Sequence, residues 1–162
     1  MAFPCGKFAE DVKVVPILSY ANANSDRTSE VIDTAGYGGC FVVVHFAAVN
    51  DSVTEDIYLA SSDAVTDENT LSSGANVASS SQTVTGTTAD NTVQYIDFIP
   101  EKRYYQLVVN KDASNASAES AVAYLYNAKS RPVTQSTGNT VVGEGTGAVT
   151  GESLGLATQG TK

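Results

Sequence analysis

His45 is the only histidine in the chain, so any Ser-His-Asp or Cys-His relay must use it. It stands inside the longest apolar run of the sequence, Gly39 to Val49 (Gly-Cys-Phe-Val-Val-Val-His-Phe-Ala-Ala-Val). β-Branched and aromatic residues dominate that run, which predicts a long central strand. Cys40 and His45 are five positions apart and fall on opposite faces of an unbroken strand, which excludes a same-strand Cys-His dyad. The thiols Cys5 and Cys40 lack metal-ligand spacing and read as two reduced cysteines; a bond between them requires the N-terminal segment to lie against the strand. Asp63, Asp67 and Glu68 offer oxygens to a hard cation but lack the spaced order of a dedicated calcium loop, so they read as a solvated loop. Asp97 sits within an apolar strand and reads as exposed, or paired with Lys102 or Arg103. Gly36, Gly38 and Gly39 precede no helix and make no phosphate loop. The expectation is a protein that is not an enzyme, with no catalytic, metal or cofactor-binding residue.

The elements that would position these groups are strands. Cys40, Val42, Val44, Phe46 and Ala48 share one face of the central run; Phe41, Val43, His45, Ala47 and Val49 share the other. A strand apolar on both faces is covered twice, or meets a core on one side and a partner subunit on the other. Val12–Tyr20 predicts a strand placed at an edge by Pro16, which has no N–H to give. Thr28–Asp33, Thr54–Ser61, Ala75–Thr85, Thr92–Ile99, Arg103–Asn110 and Glu119–Lys129 are further strands. Thr54–Ser61, after a short connection, is expected as an antiparallel neighbour of the central strand, and Ala75–Thr85 as an exposed or edge strand. Turn signals between about eight strands indicate an all-β fold, an antiparallel sandwich or barrel. Residues 1–11 are an N-terminal segment packing through Phe3 and Phe8, and 12–135 the β domain. Residues 136–162, rich in Gly and Thr and without period, form an extended C-terminal arm.

Eighteen acids against nine bases give a net charge of -9 over 162 residues, which works against unaided nucleic-acid binding. The chain shows no membrane-length apolar run and no signal-peptide pattern. Basic residues gather late: Lys102, Arg103, Lys111, Lys129 and Arg131. With Tyr104, Tyr105, Tyr124 and Tyr126 they read as a solvated face or as a contact patch for an acidic partner, since Tyr and Arg are enriched at interfaces.

Three stretches carry a resemblance: Ile32-Asp33-Thr34-Ala35-Gly36-Tyr37, Arg103-Tyr104-Tyr105-Gln106-Leu107, and Asn127 to Gln135 (Asn-Ala-Lys-Ser-Arg-Pro-Val-Thr-Gln). Together they resemble head decoration or auxiliary capsid proteins of tailed bacteriophages. The resemblance implies a β-rich, often trimeric virion structural protein. Such a cement protein binds major capsid protein on the outside of the shell and bridges capsomers. Candidate capsid or subunit contacts are Arg103, Tyr104, Tyr124, Tyr126 and Arg131, with Val141, Val142, Leu154 and Leu156 in the arm. The alternatives are a tail- or fibre-associated β module, and a carbohydrate-binding sandwich stacking sugars on Tyr58 or Tyr95.

Overall fold

A computed structural model describes residues 8–49, 54–67, 69–111, 117–130, 133–135, 140–143 and 147–150. A single helical turn, α1 (Phe8–Asp11), precedes β1 (Lys13–Ala23), β2 (Arg27–Thr28), β3 (Ile32–Asp33) and β4 (Tyr37–Val49). Then come β5 (Thr54–Ser62), β6 (Val65–Asp67), β7 (Thr70–Leu71), β8 (Ala75–Asn76), β9 (Gln82–Thr85) and β10 (Thr92–Phe98). β11 (Tyr104–Lys111), β12 (Ser117–Ala128), β13 (Thr140–Gly143) and β14 (Gly147–Thr150) complete the order. One sheet has the order β1-β12-β4-β10; the other runs β2-β11-β5-β8, with β3 on β11 and β9 on β5. All pairings are antiparallel. The fold is an all-β sandwich, not a closed barrel.

The run expected to be central is β4, flanked by β12 and β10. Its inner residues Cys40, Val42, Val44 and Phe46 are fully buried against Ile57 and Leu59 of β5 and Leu107 and Val109 of β11. The period breaks at one point. Phe46 pairs with Glu119 and Ala48 with Ala118, so Ala47 is the extra residue of a bulge. Val49 therefore turns into the core and Ala48 out to solvent, the reverse of strict alternation.

β1 is the edge strand that Pro16 predicted, irregular beside that proline. Its outer rim is met by side chains and one isolated backbone bond rather than by another strand. Gln135 accepts from Val14 N (3.1 Å) and donates to Ala9 O and Val12 O (2.7 Å each). Arg27 donates to Ser19 O, and Glu30 N to Ile17 O. The Asn127–Gln135 motif is thus a clasp: Lys129 N reaches Gly36 O, Val133 N reaches Glu10 O, and Gln135 fastens α1 to β1.

Several connections differ from expectation. β5 does not flank β4: both sides of β4 are taken, so the chain crosses to the opposite sheet and pairs with β11. Ala75–Thr85 is not one strand. Ser80, buried, donates to Val77 O and accepts from Leu59 N, which splits the stretch into β8 and β9 on the rim of β5. Thr28–Asp33 divides into β2 and β3 because the Ser29 hydroxyl, not a backbone carbonyl, accepts from Leu107 N. In the C-terminal stretch, expected to lack regular structure, β13 and β14 pair with each other.

At one end of the sandwich, charges replace hydrocarbon. Lys111 on β11 reaches Glu119 on β12 at 2.8 Å, and both side chains are fully buried. The same ammonium donates to Ala23 O and Ser117 O, and Arg27 donates to Glu119 Oε1 at 2.8 Å, an oxygen Lys111 also contacts. The pair links the two sheets, with every ammonium proton used. Removing one partner strands the other charge in the core. We predict that Lys111→Met loses about 3–5 kcal/mol in guanidinium unfolding, and that Lys111→Met with Glu119→Leu recovers most of it.

Candidate interaction face

The outer side of the four-stranded sheet is built from the residues each strand turns away from the core. Register sets them in rows: Val14, Tyr124, Phe41 and Asp97; then Pro16, Val122, Val43 and Tyr95; then Ser120, His45 and Val93. The second apolar face of β4 is therefore no second core layer but the middle of an open surface. Phe41 packs on Tyr95 (5.4 Å between ring centroids) and on Tyr124 (6.2 Å), while Phe8 from α1 meets Tyr124 edge-on at 6.1 Å. Tyr95 and Phe8 each remain 61% exposed. Phe8, Val12, Phe41, Val43, Asp97, Tyr124 and Tyr126 line a shallow open cavity of about 570 Å³.

One end of this groove has a fixed polar point. Tyr126 crosses over Gly39, where an added Cβ would lie 2.1 Å from the ring, and donates its hydroxyl to Asp97 Oδ1 at 2.8 Å. Only glycine leaves room for the ring there. That hydrogen bond to a carboxylate, with some burial, raises the Tyr126 pKa and keeps the phenol a donor. Asp97 is exposed and is held by Tyr126, not by Lys102 or Arg103.

The expected contact residues do not form one patch. Tyr124 and Tyr126 stand in the groove. Arg103 and Tyr104 lie on the other sheet. Arg103 grips Asp33 through two bonds (2.9 and 3.1 Å) and stacks at 4.8 Å over Tyr104. This joins two of the three resemblance stretches: Tyr104 pairs with Asp33 and Tyr105 with Ile32, and Thr34 bonds Arg103 O. Arg103 lowers the Asp33 pKa against a smaller opposing effect of burial. Arg131, Leu154 and Leu156 lie outside the described residues; Val141 and Val142 lie on β13. Of the late basic residues, Lys111 is buried, and Lys102 and Arg103 are paired with Asp63 and Asp33. Three of the five late basic residues are therefore engaged within the chain, Lys129 is exposed, and Arg131 lies outside the described residues. Tyr58 and Tyr95 lie in different sheets, so they make no common sugar platform.

The remaining chemical candidates are separated. Cys40 is a free, fully buried thiol, pushed up to about 12 by burial with a further contribution from Asp97, and it faces away from exposed His45. Among the described residues no group of three His, Cys, Asp or Glu can hold a metal ion, and no helix is long and apolar enough to cross a membrane. Asp63 binds Lys102 and Asp67 accepts from Asn69 N; Cys5 and Glu68 lie outside the described residues.

The sequence assigns Phe41 and Val43 to a face covered by a second layer or a partner subunit, Phe8 to N-terminal packing and Asp97 to an exposed or ion-paired position, but does not place the four together. Each falls on the outward parity of its strand or beside it. Strand pairing, which alternation alone does not reveal, is what brings them together. No protein-family model matches the chain, and no curated protein matches it significantly.

One buried acid stands apart from these pairs. Glu55 is fully buried beside Lys111 on β5, yet neither oxygen has a hydrogen-bond partner among the described residues; the Ser117 hydroxyl donates to Glu119 instead. Burial raises its pKa, and the Glu119 charge adds to that, against the opposing pull of Ser117 and Lys111. The folded protein therefore binds this proton more tightly than the unfolded chain does, and stability falls as pH rises above 4.5. Glu55→Gln is expected to flatten that limb and to gain about 1–3 kcal/mol near neutral pH, read from urea unfolding across a pH series.

Proposed function

We propose that this chain is a virion structural protein: a head decoration protein of a tailed bacteriophage that binds the outside of the capsid shell and stabilises contacts between capsomers. The resemblance of Ile32–Tyr37, Arg103–Leu107 and Asn127–Gln135 to that family supplies the assignment. The observation that carries it is the outer face of the four-stranded sheet, where Phe41, Val43, Tyr95 and Tyr124 form a largely aromatic surface on a chain of net charge -9. Such a surface suits adhesion between proteins, because aromatic anchors dominate interface energetics. In this reading the protein acts as a homo-oligomer, a trimer by the resemblance, its partner is major capsid protein, and its place is the virion surface. Many copies on a symmetric shell turn modest single contacts into firm attachment. The arm from Ser136 to Lys162 adds grip on neighbouring subunits.

Mixing the purified protein with undecorated heads of its phage tests this. Saturable binding is expected, and Tyr124→Ser should weaken it at least about tenfold while leaving the melting temperature nearly unchanged, since Tyr124 is outside the core. Deletion of 136–162 is expected to reduce occupancy on shells with the β domain still folded. Full binding by both variants would remove this face and the arm from the mechanism.

A further inference from the structure

We infer that the groove on the four-stranded sheet receives an apolar polypeptide segment of another protein carrying one lysine or arginine, whose cation is held at Asp97. This goes beyond the capsid assignment and does not depend on it: it concerns the chemistry of whatever segment lies there.

The groove is apolar along Phe8, Phe41, Val43 and Tyr124, with a carboxylate at one wall. Asp97 is oriented by the Tyr126 hydroxyl, and Tyr126 is itself fixed by its seat over Gly39. That bond uses Oδ1, and among the described residues no lysine or arginine pairs with Asp97. A carboxylate fixed beside aromatic ring faces is complementary to a cation, which gains from both the charge and the rings.

Charge also decides against a second copy of this chain. A twofold pairing of this face would bring Asp97 to a surface whose described rows contain no lysine or arginine. Four of the nine basic residues are already held in internal ion pairs, and the whole chain carries -9. The complementary partner is locally basic, the reverse of the acidic partner that the late basic residues suggest. The segment lies on the sheet face rather than along the β10 edge, because Gln82 already donates to Tyr95 O there (2.7 Å).

The experiment uses the full chain and short capped peptides of valine, proline and phenylalanine whose central residue is lysine, arginine, norleucine or glutamate. Titration is followed by chemical-shift changes of the tyrosine and phenylalanine rings. The lysine and arginine peptides are expected to bind about fivefold more tightly than the norleucine peptide, with glutamate weakest. Asp97→Asn, which keeps an acceptor for Tyr126, should bring the lysine peptide down to the norleucine level without changing the latter. Phe41→Ser should weaken all of them. Equal affinity for lysine and glutamate peptides, no binding at millimolar concentration, or an Asp97→Asn variant that binds as before would overturn the inference. So would concentration-dependent dimers of the wild-type chain that Tyr124→Ser abolishes, which would give the groove to a second copy.

Discussion

β4 carries apolar side chains on both faces, and a two-layer sandwich can bury only one of them. Everything else follows from how that surplus is handled. The inner set, Cys40, Val42, Val44 and Phe46, closes the core with β5 and β11. The outer set, Phe41 and Val43, is flanked by further aromatic residues from β10, β12 and α1, with Asp97 beside Phe41 as the charged group of those rows. Fully covering a side chain of this kind is worth about 1.5–3 kcal/mol, and these are already half covered. Summed over the face, the gain is comparable to the freedom lost on association, about 4–15 kcal/mol. One such contact is weak; a lattice of them is not. That magnitude is compatible with the proposed attachment in many copies.

Charge is distributed to the same effect. The Lys111–Glu119 pair with Arg27 fills one end of the sandwich, and Lys102 and Arg103 are paired with acids on the opposite sheet. Four of the nine cations are thereby engaged within the body, while Asp97 on the open face is bonded by the Tyr126 phenol and, among the described residues, pairs with no lysine or arginine. The interior ion pairs hold the layers in register; the lone carboxylate gives the aromatic surface a direction.

Much of this was legible in residue order. Residue order placed Gly39–Val49 at the centre of a sheet and Pro16 on an edge, and the structure agrees in both cases, whereas Tyr105, grouped with an exposed or contact face, is buried. The buried ion cluster was also legible, had parity been followed to the strand ends. Glu55 is in phase with Ile57 and Leu59, Lys111 with Leu107 and Val109, and Glu119 with Ala121 and Ala123, all of them core positions. What alternation does not encode is partnership. Nothing local to β5 says that it joins the opposite sheet, and nothing local to Phe41 says that Asp97 and Tyr124 stand beside it. The bulge at Ala47, which turns Val49 inward, arises from the β12 register and is equally invisible in β4 alone. The groove is illegible in residue order for that reason: alternation sets the face of each strand but not which strands stand side by side.

A reconstruction of the phage head with this protein bound tests the central claim most directly. The account predicts a two-layer β body on the outer surface of the shell, with the face carrying Phe41, Tyr95 and Tyr124 against a neighbouring protein and Asp97 near a basic side chain of it. A body that leaves this face in solvent, or a particle that carries no such body, would contradict it.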